Sequence, residues 1–162
     1  WQLALESRQT PSTLALTRQN LPLVRTDFAE ENLCAHGAYE LATADGDAVV
    51  TIFATGSEVE IAVNARKLLA EKGVHARVVS VPSLELLLAQ DEATRKAIIG
   101  TAPVKVAVEA GLRFGWDAVI GDHGLFVGMT GFGASAPAKD LFKHFGITAE
   151  AVVDKVMSRH NH

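Results

Sequence analysis

The sequence predicts an α/β fold: a mixed, mostly parallel sheet of about five strands with helices on both faces. Two observations predict it. From residue 37 onward, short β-branched runs alternate with helix-like segments through short connections. That alternation is what parallel strands joined by crossover helices require. An Asp45-Gly46 pair between two extended runs then reads as a hairpin, which makes one strand antiparallel.

Taken in order, residues 1–10 read as the last turns of a helix closed by Pro11. Thr13 to Arg18 is a short, largely apolar run that ends in Arg18-Gln19-Asn20, as a buried strand does where it opens toward solvent. Residues 21–36 have Pro22, mixed charge and no period, and read as a connection with one helical turn. Tyr39–Ala42 and Val49–Ala54 are the two arms of the predicted hairpin.

Ser57 with Glu60 three residues later is a capping box opening a helix. Val59, Ala62, Ala65 and Leu69 give that helix its apolar face, and Gly73 closes it. His75–Val81 is the next strand, stopped by Pro82. Residues 83–99 hold two short helices, the second opening at Asp91, and Val104–Glu109 is another strand. Gly115–Ile120 is a short helix, and Leu125–Gly128 is the last strand. Pro137 suits the first position of a helix that ends near Gly146. Thr148 caps the final helix by its hydroxyl alone, because Ala151 occupies the acidic position of a capping box.

Composition narrows the class. Hydrophobic residues make up 48% of the 162 and charged residues 21%, which excludes a disordered chain. The net charge of −4 offers no electrostatic footprint for nucleic acid or an anionic membrane. No apolar run reaches the roughly 18 residues a membrane span needs. The single cysteine, Cys34, fits a reducing compartment, and the chain is expected in the cytoplasm. It opens Trp1-Gln2-Leu3, without Met, and is expected to be a piece of a longer polypeptide.

Several residues invite a chemical reading. Gly131-Phe132-Gly133-Ala134-Ser135-Ala136 matches the dinucleotide-binding pattern after a strand and before a helix. No strand with a ribose-binding acid follows it, so a tight turn packing helix on strand is the favoured reading; Gly131→Val and Gly133→Val are then expected to cost stability. Ser57 lacks both glycines of a nucleophile elbow and reads as the helix cap. The six histidines lack metal-ligand spacing, except for His160-Asn161-His162, where a frayed end is the favoured reading. Cys34 has no base nearby in sequence and reads as a small buried hydrophobe. Glu109 ends a buried strand, where it serves either as a functional carboxylate or as a hydrogen-bonded partner. Arg18 stands where a strand meets solvent; it either forks onto a phosphate or forms a surface salt bridge.

The string Leu14-Ala15-Leu16-Thr17-Arg18-Gln19-Asn20-Leu21-Pro22 resembles a segment of the transketolase family. Phe53-Ala54-Thr55-Gly56-Ser57-Glu58-Val59-Glu60, Arg77 to Ser83, Val108-Glu109-Ala110-Gly111 and Val127 to Pro137 continue the resemblance in order. It implies the carboxyl-terminal domain of such an enzyme: residues 1–24 the end of the pyrimidine-binding domain (helix end plus strand), 25–36 a linker, and 37–162 the carboxyl-terminal domain. Family members use thiamine diphosphate and Mg2+ or Ca2+. They move a two-carbon ketol unit from a ketose phosphate to an aldose phosphate in the pentose phosphate pathway, with the cofactor as electron sink.

The resemblance assigns Arg18 to the sugar phosphate. It implies no catalytic, cofactor-binding or metal-binding residue here, because the Gly-Asp-Gly motif, the catalytic glutamate and the substrate histidines belong to upstream domains. The implied partners are those upstream domains, a second copy in a homodimer and sugar phosphates, with neither nucleic acid nor membrane. The fragment by itself is expected to be inactive and to support the dimer. The alternatives are a stand-alone nucleotide-binding module, or the equivalent domain of a 2-oxoacid dehydrogenase or deoxyxylulose phosphate synthase. The Thr-Arg-Gln-Asn-Leu string favours transketolase over the latter two.

Overall fold

The computed structural model describes residues 1–160. Its sheet has five strands: β1 (Tyr39–Ala42), β2 (Val50–Ala54), β3 (Ala76–Ser80), β4 (Val104–Leu112) and β5 (Leu125–Met129). They lie in the order β1-β3-β2-β4-β5, with β2, β3, β4 and β5 parallel and β1 antiparallel on the outer side of β3. All five residues of β2 are buried, and it sits between β3 and β4. A strand buried along its whole length needs cover on both faces, and the centre of such a sheet supplies it.

Helix α1 (Gln2–Glu6) precedes the sheet, and α2 (Val59–Glu71) joins β2 to β3. Helices α3 (Leu84–Ala89) and α4 (Glu92–Ile99) join β3 to β4, and α5 (Asp117–Ile120) joins β4 to β5. After β5 come α6 (Ala138–His144) and α7 (Ala149–His160). On one face α2 and α7 pack together over Val50, Ile52, Val78 and Val106. On the other, Leu87, Trp116 and Ile120 cover Phe53, Val79 and Ala107.

Local signals position these elements as the sequence predicts. Helix α2 buries Val59, Ala62, Ala65 and Leu69, the four residues of its apolar stripe. It ends at Gly73 with φ +73°, where Gly73 N–H bonds Ala70 O and Val74 N–H bonds Leu69 O. Those two bonds satisfy carbonyls that the last turn leaves open. Ser83 caps α3, Asp91 caps α4, and the Thr148 hydroxyl accepts from Ala151 N–H at 3.2 Å.

Four expectations are corrected. The Asp45-Gly46 hairpin does not form: β1 pairs with β3, and Gly46 does not have the positive φ a tight turn of that kind needs. Both edges of β2 are taken by parallel neighbours, which leaves β1 the free edge of β3. Ser57 is not a helix cap; a 3₁₀ turn at Gly56–Glu58 leads into α2, and the Ser57 hydroxyl donates to the Glu58 carboxylate instead. Residues 13–18 form no strand and are exposed, because no ladder partner stands beside them among the described residues. Pro137 sits just before α6 with ψ 138° rather than inside its first turn.

Candidate functional site

Arg18 lies in a bend of the exposed amino-terminal arm. The Thr17 hydroxyl accepts a hydrogen bond from Gln19 N–H at 3.2 Å, a local turn that a threonine two residues ahead makes for itself. The bend holds the backbone on both sides of Arg18 while its side chain stays exposed. Among the described residues no carboxylate pairs with it; the arginines in ion pairs are Arg66, Arg77 and Arg113. A guanidinium in this setting has its planar fork of donors free for an oxyanion.

A second group of residues gathers at the carboxyl ends of the parallel strands. The chain leaves β2 for β3 on one side and returns to β4 on the other, so a switch point lies between β2 and β4. Just beyond it stand Ser57 and Glu58 after β2, and Glu109 and Ala110 in β4. Glu58 is only 5% exposed. Burial is the main cause that pushes its pKa above the ordinary carboxylate value. Hydrogen bonds from the Ser57 hydroxyl, at 2.6 Å, and from Ala110 N–H pull it back down, and the charge of Glu109 raises it again. Glu109 accepts from the Trp116 indole N–H at 2.6 Å, so this carboxylate has a structural partner.

A cavity of about 250 Å³ opens beside this pair. Its walls include Ser57, Glu58, Ala110, Met129 and α6, and Gln19 of the arm also lines it. The sequence reading missed Glu58. Its signal was position: an acid in the first turn after a largely apolar strand, where buried backbone and helix starts converge.

The other candidates fall away on geometry. Residues 131–137 are exposed, and a Cβ added at Gly131 or Gly133 meets nothing within 4 Å. Neither glycine has positive φ, so this is no tight turn packing helix on strand, contrary to expectation. Gly128 is the glycine that packing demands there, since its Cβ would meet Phe126 and Glu109 O within 2.5 Å. Cys34 is half-buried in the 3₁₀ turn Leu33–His36, where its N–H bonds the Asn32 side chain. Of the His160-Asn161-His162 tail, residues 161 and 162 lie outside the described residues. Among the described residues no three His, Cys, Asp or Glu side chains gather as metal ligands.

The model of the transketolase-like carboxyl-terminal domain matches residues 37–148. A transketolase of Rhodobacter capsulatus is 54% identical over 164 residues, covering 98% of this chain and 24% of its own length. Among solved structures, a transketolase from Leishmania mexicana superposes with a TM-score of 0.85 at 42% identity, over 96% of this chain and 22% of that one. A transketolase from Pichia stipitis, in complex with sedoheptulose 7-phosphate, gives 0.77 at 34% identity over 87% of this chain and 20% of that one. The chain thus spans about a quarter of the length of the curated relatives it matches.

Proposed function

The chain belongs to the transketolase family, and on that premise we propose that it is the carboxyl-terminal unit of an enzyme that moves a two-carbon ketol unit from a ketose phosphate to an aldose phosphate. Arg18 is the contact this chain makes to the substrate's phosphate. The observation that carries the assignment is the Thr17–Gln19 turn, which presents an exposed guanidinium without a carboxylate partner among the described residues. The sugar phosphate in the Pichia stipitis complex supports the substrate class.

In this reading residues 1–24 close the pyrimidine-binding domain, 25–36 are a linker, and 37–162 are the carboxyl-terminal domain. The exposure of Trp1, Leu5, Leu16, Leu23 and Phe28 supports an arm that packs against the rest of a longer protein. Thiamine diphosphate and its Mg2+ or Ca2+ belong to the upstream domains, where the cofactor supplies the electron sink. The isolated 162-residue chain is inactive, the whole enzyme works as a cytoplasmic homodimer in the pentose phosphate pathway, and this unit supports the dimer.

Arg18→Ala in the full-length enzyme tests the substrate role. A charge-assisted contact of this kind is worth about 1.5–3 kcal/mol, or roughly ten- to hundredfold in kcat/KM for phosphorylated sugars. Unphosphorylated acceptors should be unaffected. Equal losses on both substrate types would remove Arg18 from the phosphate site.

A further inference from the structure

Open α/β sheets bind ligands in the crevice outside the carboxyl ends of their strands. Here that edge is met by the protein's own arm, at two points. Gln19 lines the cavity formed by Ser57, Glu58, Ala110 and Met129 at the ends of β2, β4 and β5. Arg25 lies over the ring of Tyr39, 5.5 Å from its centroid. Tyr39 is paired with Ser80, the last residue of β3, so it stands on the same edge of the sheet. Six residue steps separate Gln19 from Arg25 and reach about 20 Å when extended. The distance from β2 to β1 is two strand spacings, about 10 Å. The segment is therefore long enough to lie along the edge between its two contacts.

We propose that the carboxyl edge of this sheet is a seat for residues 19–25, and that the domain thereby positions Arg18 for the substrate's phosphate. The inference rests on the phosphate role of Arg18 and gives the carboxyl-terminal domain a task in substrate selection. Gln19 is the positioning residue. It is bonded directly to Arg18, its backbone closes the Thr17 turn, and it lines the cavity. A displacement of Gln19 moves the guanidinium with it, and misplacements near 1 Å are enough to cost roughly a hundredfold in a well-ordered site. The cavity walls supply both kinds of partner an amide can use: the Ser57–Glu58 pair on one side and apolar Met129 and Phe142 on the other.

Two variants of the full-length, cofactor-loaded enzyme test the seat. Gln19→Ala removes the side chain from the cavity. Gly133→Leu fills the cavity from the loop side, at a position where an added Cβ meets nothing within 4 Å and φ is not positive. Each is expected to raise KM for a phosphorylated aldose about three- to tenfold, the effect of one modest contact, with kcat retained. KM for an unphosphorylated aldehyde should not move. In an Arg18→Ala background both effects should vanish, which a general loss of structure would not produce. A wild-type KM for both variants, equal losses on the two substrate types, or effects that persist without Arg18 would each overturn the seat. If Arg18→Ala itself spares phosphorylated sugars, the phosphate assignment falls first and takes the seat with it.

Discussion

Arg18 and Glu58 are opposite solutions for a charged side chain. Arg18 is held by a backbone turn and left in solvent, with its planar fork of donors open to an anion. Glu58 is buried beside a second carboxylate, and that position favours its protonated form. Because the native state binds this proton more tightly than the unfolded chain, the contribution of Glu58 favours folding at low pH. It is lost as the pH rises through the raised native pKa. Glu58→Gln keeps the side chain's shape and removes its charge. Its Tm is expected above wild type at neutral pH, with the difference closing as the pH falls below the ordinary value of 4.5. A Tm below wild type at neutral pH would mean that the site stabilises the carboxylate. Arg18 stands out in the sequence because its neighbours are distinctive residues in a short string. Glu58 does not, because burial is a property of what packs around it from β4 and α2.

At the scale of elements, the helix signals act within a few residues, and apart from Ser57 and Pro137 they hold in the structure. The stripe Val59, Ala62, Ala65 and Leu69 is buried, and Asp91 and Thr148 bond the backbone N–H groups their positions predict. Strand pairing is different, since the Asp45-Gly46 signal was local and the partner of β1 was not. Two glycines, Gly128 in β5 and Gly131 after it, make the same point. Gly128→Ala is expected to destabilise by about 1–3 kcal/mol, because the new Cβ would press on Phe126 and the Glu109 carbonyl. Gly131→Ala should stay within about 0.5 kcal/mol of wild type. Urea unfolding midpoints compare the two, and a costly Gly131→Ala would restore the tight turn that the sequence suggested.

For the whole molecule, the sheet carries a packed core on each of its two helical faces, while residues 11–28 are exposed throughout. Deleting residues 1–30 leaves the Asn32 cap and the Glu31–His36 contact in place. It removes the Asn32–Gln2 hydrogen bond, the contact of Gln19 with the cavity and the Arg25–Tyr39 stacking, all at the surface, so the loss in stability should be about 1–2 kcal/mol. Thermal unfolding of the shortened chain should remain a single transition. A broad or absent transition would show that the arm belongs to the core.

The amino-acid sequence by itself determined the α/β class, the positions of the helices, the face of α2 that is buried and the family, through ordered strings that run nearly the length of the chain. These rest on periodicity, caps and residue identity, which act between near neighbours. Only the tertiary structure decided that β1 joins β3 and that residues 13–18 stay unpaired. It alone showed that Ser57 turns to Glu58 instead of capping a helix, and that Gln19 meets the cavity at the strands' carboxyl ends. Each of these depends on which distant backbone competes for an edge or buries a carboxylate. Short-range propensity is silent on that competition, because its outcome is set by contacts between residues tens of positions apart.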